Sequence, residues 1–236
     1  MTMEEIIAKG LPMLGVELHP EALGKFRKFH DFMVEKNKVM NLTGITEDAE
    51  AARLHYLDCC ALLAAEDFKN KKVIDVGTGA GFPGVPLKIA EPSMDITLLD
   101  SLAKRINFLD EAIALAGLEG VTTIHARAEE PPAEYREAFD IATARAVTRL
   151  DALCELCLPM VKKGGAFVAM KGPAAAEELK EAEKAIKILG GKLEKIHEYT
   201  IPDTDVTHTA VVIRKVGTTP KQYPRSWGKI KKSPIR

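Results

Sequence analysis

Val73-Ile-Asp-Val-Gly77-Thr-Gly79-Ala-Gly81-Phe-Pro-Gly84 is the stretch from which the rest of the chain is read. A short apolar run breaks into glycines, the form of a strand that turns directly into a helix. Glycines at 77, 79 and 81 let the backbone turn tightly and approach a ligand without side-chain hindrance. The spacing is Gly-x-Gly-x-Gly, with Gly84 in register with a longer variant, so spacing alone leaves the cofactor open. Asp75 is placed to orient the loop or to face a cationic ligand group. Twenty-five residues on, a second strand ends Thr97-Leu-Leu-Asp100. An acid there accepts hydrogen bonds from ribose hydroxyls in doubly wound folds, and it serves equally as a helix N-cap before Leu102. A third strand ends Ile124-His-Ala-Arg-Ala128-Glu129-Glu130, beside which an adenine ring would lie.

Outward from the loop, apolar runs alternate with helix-length segments. Strands are expected at Val73–Val76, Ile96–Leu99, Val121–His125, Phe139–Thr143 and Ala166–Met170. Helices are expected near Val85–Ala90, Lys104–Ala116, Arg149–Val161 and Ala174–Leu189, an alternation that argues a parallel sheet covered on both faces. Leu193–Tyr199 and Thr207–Val216 follow with only a loop between them, so they should pair antiparallel at the sheet edge. Before the loop the spacing is helical: Ile6 to Leu14, then Leu23 to Met33 after Pro20-Glu21, then a third helix through Ala49, Arg53, Leu57 and Ala61 with Thr46 as its cap. The expected organisation is a helical extension over residues 1–66, an α/β domain over 67–216 and a basic tail over 217–236.

Hydrophobic residues at 46% and charged residues at 28% are ordinary for a globular chain and exclude wholesale disorder. The start carries no signal-peptide pattern, no apolar run is long enough to span a membrane, and four cysteines do not make a disulfide framework. These features lead one to expect a reduced cytoplasmic protein. The net charge of −1 hides an asymmetry. Residues 217–236 hold six bases and no acid, leaving the body at −7. A basic tail on an acidic body suits a polyanionic partner, and composition alone fits a solvated, poorly ordered terminus equally well.

The loop, the acid after the second strand and the third-strand turn together resemble the class I S-adenosylmethionine-dependent methyltransferases. Further stretches narrow the resemblance: Asn41-Leu-Thr-Gly-Ile, His55-Tyr-Leu-Asp58, Leu99-Asp-Ser-Leu-Ala-Lys-Arg-Ile-Asn-Phe-Leu109, Arg127-Ala-Glu129, Thr143-Ala-Arg-Ala-Val147 and Met170-Lys-Gly172. With Lys221-Gln-Tyr-Pro-Arg225 and Lys232-Ser-Pro-Ile235, the chain resembles the RsmG (GidB) family of small-subunit ribosomal RNA methyltransferases. The resemblance implies a Rossmann-like, mostly parallel seven-stranded sheet with an antiparallel last strand. It also implies methylation of guanine N7 in 16S ribosomal RNA with S-adenosyl-L-methionine as cofactor.

Carried over by motif, the cofactor contacts are Gly77, Phe82, Ala128, Glu129 and Arg145. Fold logic adds Asp100, and steric reasoning adds Gly79 and Gly81. Arg145, at the end of the fourth strand, is placed to orient either guanine or cofactor. Guanine N7 has no proton to lose, so no general base is expected. Lys171, at a strand end, and Lys221, Arg225, Lys229, Lys231 and Lys232 in the tail are the candidate RNA contacts. Removing the tail is expected to spare the cofactor site.

The partner implied is small-subunit RNA within an assembled or assembling subunit, with the enzyme a monomer. An RNA-binding module with a non-catalytic pocket and a small-molecule methyltransferase are the competing readings. Cys154 and Cys157 read as core cysteines, with no metal site expected. His55 and Asp58 share a helix face, either lining a pocket with Asn41 and Thr43 or joining a hydrogen-bond network. His208 reads as a surface or capping residue.

Overall fold

A computed structural model describes residues 1–236. Helix α1 (Met3–Met13) opens on a reciprocal cap: the Thr2 hydroxyl accepts from the Glu5 N–H, and the Glu5 carboxylate accepts from the Thr2 N–H. Helix α2 (Ala22–Met40) starts directly after Pro20-Glu21 and ends at Asn41, whose left-handed φ of 51° closes it. The third helical run differs from expectation. Glu47, not Thr46, holds the capping position. The run is broken into α3 (Asp48–Ala51), a π-helical turn (Ala52–Leu57), α4 (Asp58–Cys60) and α5 (Leu62–Ala65).

Then follow β1 (Lys72–Val76), α6 (Gly84–Ala90), β2 (Asp95–Asp100), α7 (Ala103–Ala116), β3 (Val121–His125) and β4 (Phe139–Arg145). After them come α8 (Leu150–Cys157), β5 (Val161–Lys171), α9 (Ala175–Ile188), β6 (Gly191–Thr200), β7 (Thr207–Lys215) and α10 (Trp227–Lys232). The strands form one sheet in the order β3-β2-β1-β4-β5-β7-β6, parallel except that β7 runs antiparallel to both β5 and β6. The helix expected over Arg149–Val161 stops at Cys157. Pro159 lacks the N–H that would continue it, and a 3₁₀ turn (Leu158–Met160) passes straight into β5. A bulge between Leu193 and Lys195 interrupts the β6–β7 ladder.

Alternate residues of the strands feed two cores, as a sheet buried on both faces requires. Val73, Ile96, Leu98, Ile141 and Val168 join α6, α7 and the whole N-terminal helical run, including Met3, Phe26, Phe29 and Tyr56. Ile74, Val76, Leu99, Ala142 and Phe167 join α8, α9 and Ile230 of α10. The N-terminal helices are thus one covering layer of the sheet, not an appendage, and the tail belongs to the opposite layer. Cys154 and Cys157 are buried in that second core, where burial pushes both thiols up. No helix is long and apolar enough to cross a membrane.

The shared core makes a mechanical prediction. Phe26→Ala removes a fully buried ring from the N-terminal layer and should cost about 3–5 kcal/mol. Helix signal and Trp227 fluorescence should still lose structure in one coincident transition at a lower denaturant midpoint. Separate transitions would mean that the N-terminal layer unfolds by itself.

Candidate functional site

The C-terminal ends of β1 and β4 diverge where the strand order reverses, the place where open α/β sheets form a crevice. The glycine loop is held there by two carboxylates. Asp75, fully buried on β1, accepts through Oδ2 from the Thr78 hydroxyl at 2.7 Å and from the Gly84 N–H at 2.8 Å. One oxygen therefore ties both ends of the loop. Its Oδ1 has no partner, and burial raises the Asp75 pKa from 3.8 to about 6.

Asp100 Oδ2 accepts from the Gly79 N–H at 2.9 Å, and Oδ1 accepts from the Leu102 N–H at 2.9 Å. Asp100 is thus a tether between β2 and the loop. The helix N-cap position belongs to Leu102. Arg105 Nη1 lies 3.3 Å from Oδ2. With Oδ2 taken by Gly79 and Arg105, Oδ1 is the Asp100 oxygen that retains a free acceptor site.

A cavity of about 510 Å³ opens over this loop. Gly77, Gly79, Phe82, Asp100, Ala128, Glu129 and Arg145 all line it, so the geometry gathers most of the expected cofactor residues at one place. Gly81 is the exception. A Cβ there would meet Val85 Cγ2 at 2.7 Å and Leu109 Cδ2 at 3.0 Å, and its φ is +94°. At Gly81 the space a side chain would need is filled by the core. Gly79 behaves oppositely, since nothing lies within 4 Å of a Cβ placed on it.

Arg145 stands at the rim shared with a second cavity of about 920 Å³, and His55, Ala146 and Val147 line both spaces as well. Its guanidinium lies 4.6 Å from the Phe82 ring centroid. It donates to the Leu54 carbonyl and to His55 Nδ1, each at 3.4 Å. Burial and the Arg145 charge depress the His55 pKa to about 3, so the ring is neutral at ordinary pH. With Nδ1 accepting from arginine, the ring proton sits on Nε2 and is donated to Thr43 Oγ1 at 2.8 Å. The π-helical turn carries His55 to this position. Ala146, a non-glycine residue with φ of +54°, turns the chain between Arg145 and Val147, and backbone strain of this kind clusters at functional sites.

The second cavity contains Asp58 and His208. Asp58 Oδ1 accepts from His208 Nδ1–H at 2.8 Å and from the Tyr199 hydroxyl at 2.9 Å, and the Asp58 bond raises the His208 pKa. His208 is therefore neither a cap nor a bare surface residue.

Lys171 also lines this cavity, but its ammonium is buried and paired with Glu178 at 2.8 Å and the Thr148 carbonyl at 2.9 Å. That engagement removes the free cation expected for a phosphate contact. The tail is equally unlike a loose terminus. Arg225 grips both oxygens of buried Glu155, at 2.8 and 2.6 Å. Arg236 pairs with buried Asp151 at 2.7 Å. Lys221, Lys229, Lys231 and Lys232 remain exposed. Trp227 lines the first cavity beside Leu156, a placement that sequence reasoning missed, because a lone aromatic among cations carries no mark of which surface it meets.

Residues 22–207 match the family model GidB, described as rRNA small subunit methyltransferase G. Ribosomal RNA small subunit methyltransferase G of Clostridium perfringens strain 13 is 46% identical over 98% of each chain. That of Clostridium novyi strain NT is 49% identical over 93% of this chain and 92% of the relative. Among solved structures, YcgJ from Bacillus subtilis superposes with a TM-score of 0.55 at 13% identity, over 69% of this chain and all of the other. TrmN from Thermus thermophilus gives a TM-score of 0.53 at 22% identity over 68% of this chain, which spans about half (48%) of TrmN. The last two likenesses establish the fold alone.

Two predictions follow from the loop. Gly81→Ala should destabilise the fold by about 2–4 kcal/mol through overpacking and a disfavoured φ. Gly79→Asp meets no neighbouring atom, so it should cost only the strain of its φ of +61°, about 1–2 kcal/mol, while S-adenosylhomocysteine binding, read by calorimetry, falls at least about tenfold. Asp75 sets a pH response. Its folded pKa of about 6 exceeds the ordinary 3.8, so the folded state binds more protons between those values and stability falls as pH rises through that window. Asp75→Asn should remove that slope, worth about 2–3 kcal/mol, in denaturant titrations at pH 4 and pH 7.

Proposed function

We propose, on the premise that this chain belongs to the GidB family of rRNA small subunit methyltransferases, that its two joined cavities hold the methyl donor and a guanine accepting methyl at N7. The chain is an S-adenosylmethionine-dependent methyltransferase of small-subunit ribosomal RNA. The observation that carries the finer reading is the shared rim: His55, Arg145, Ala146 and Val147 face both spaces, so a donor in one and a base in the other meet there.

The first cavity suits the donor chemically. Leu99, Ala126, Ala128 and Leu156 offer an apolar face to a flat heteroaromatic ring, while Asp100 and Glu129 offer acceptors to hydroxyl and ammonium groups. The open side of Gly79 leaves backbone accessible. When bound, the donor supplies an electrophilic methyl carbon on a cationic sulfonium.

The remaining work falls to the chain and is mostly alignment. Guanine N7 presents a lone pair and no proton, so no side chain need act as base. Neutral His55 is consistent with that, because its Nδ1 is occupied by Arg145 and its proton points to Thr43. Arg145 lines the space that would receive the guanine edge, and a hydrogen bond from its guanidinium to O6 orients the base while leaving the N7 lone pair free to attack. Neutral His55 and the Phe82 ring hold the guanidinium in place.

The base reaches so recessed a site from an unpaired or extruded position. A body charge of −7 with exposed lysines at 221, 229, 231 and 232 favours approach of RNA by the tail side. We place the reaction in the cytoplasm, on an assembled or assembling small subunit, with the enzyme as a monomer.

Labelled S-adenosylmethionine with small subunits from cells lacking the enzyme should give stoichiometric label at one guanine, mapped by cleavage at N7-methylguanine. Absence of label with donor binding intact would overturn the reaction proposed. Arg145→Lys should lower kcat about 10–100-fold while S-adenosylhomocysteine affinity changes less than about fivefold. Equal losses in both would assign Arg145 to the donor alone.

A further inference from the structure

We propose that the C-terminal tail is a wall of the methyl-donor site. Trp227 covers the adenine end of the cavity, and the same short helix presents the cations that meet RNA, so donor and RNA bind with positive coupling. The proposal rests on the donor assignment above and adds residues that lie beyond the glycine-loop motif and beyond residues 22–207 of the family model.

Three observations converge on it. The first concerns layering. The β1–β2, β2–β3, β4–β5 and β5–β6 connections each contain a helix, α6 to α9, whereas β3 passes to β4 through only a 3₁₀ turn at Ala133–Tyr135. The tail occupies that gap. Tyr223 and Trp227 pack with Ile124, Ala126, Ala128 and Tyr135 against the second core, and Arg136 donates to the Thr219, Pro220 and Tyr223 carbonyls. The backbone from 219 onward thus covers the end of β3, where the donor's ring is placed.

The second is anchorage. Glu155 and Asp151 are buried at 1% and 2%, and their ionic partners are the tail's Arg225 and Arg236. A buried carboxylate left without its partner is strongly unfavourable, so the tail is held in register with α8. Ile230, fully buried in the second core, fixes the helix between these two clasps.

The third is what the anchored helix offers on its two sides. Trp227 is only partly buried and enters the lining of the 510 Å³ cavity with Leu156, Ala126 and Ala128. An indole at an apolar wall is a stacking surface for a flat base. Lys229, Lys231 and Lys232 are exposed and free of ion pairs, available to phosphates. Donor contact and RNA contact are therefore separated by two to five residues on one helix. A base stacked on Trp227 braces the helix that carries the lysines, and RNA seated on the lysines braces the indole, so the two sites are coupled through one anchored element.

Trp227 is the protein's single tryptophan, so its emission reports on this contact alone. Titration of the full chain with S-adenosylhomocysteine should shift or quench that emission with the same midpoint that calorimetry gives. Trp227→Ala should weaken the affinity roughly tenfold, and Trp227→Phe should restore it to within about threefold. Both variants keep the arginine clasps, so they test the contact without removing the tail, whose deletion would strand Glu155 and Asp151.

Isolated small subunits should tighten S-adenosylhomocysteine binding several-fold, and replacing Lys229, Lys231 and Lys232 together with Ser should abolish that tightening. Normal calorimetric binding with unchanged emission and an indifferent Trp227→Ala would overturn the proposal while leaving the methyltransferase reading intact. Unchanged donor affinity in the presence of bound subunits would overturn the coupling. Failure of the wild-type chain to bind S-adenosylhomocysteine at all would overturn the donor assignment itself.

Discussion

The Asp75 carboxylate accepts from Thr78 near one end of the glycine loop and from Gly84 at the other, and the crevice takes its shape from that pair of bonds. The Gly77 and Thr78 N–H groups then reach the Leu99 carbonyl, and the Gly79 N–H reaches Asp100, which fixes the loop to the neighbouring strand. The floor of the 510 Å³ cavity is thereby built from backbone tied at several points. The arrangement leaves one buried oxygen without a partner and a carboxyl group whose proton affinity is raised. A neutral side chain of similar size would cost less to bury, but the short Asp75 stem places one strong acceptor within reach of both loop ends.

The frame of the molecule was largely legible in the sequence because two periodicities dominate it. Strands such as Val73–Val76 and Ile96–Leu99 are apolar at nearly every position, since each face of the sheet is covered. The loop and Asp100 were legible because a glycine run and an acid at strand ends are local patterns. What escaped reading depends on partners far along the chain. Arg225 and Arg236 look like solvated charges until Glu155 and Asp151, 70 and 85 residues earlier, are found buried beneath them. His208 looks like a surface residue until Asp58, 150 residues away, is found bonded to it. Gly81 shows a different limit: glycine marks a place where a side chain does not fit, without saying whether ligand or core fills the space.

The two ends of the chain complete opposite layers of one sheet. The N-terminal helices cover one face and deliver His55 and Asp58 to the crevice through a π-helical turn that no sequence pattern announces. The tail covers the other face beside β3. The cavity is therefore walled by residues as distant as Thr43 and Trp227, and its shape depends on both ends being docked.

The β6–β7 pair has a consequence far from the crevice. β6 is ten residues long and lies at the open edge of the sheet, with Leu193 and Ile196 exposed, so it offers backbone groups to any passing strand. The bulge between Leu193 and Lys195, with Lys192, Glu194, Lys195 and Glu198 along the same strand, makes that edge a poor template for further pairing. Protection against self-association is thus concentrated on the side of the molecule farthest from β3. The crevice, at the C-terminal ends of β1 and β4, lies away from that guarded edge.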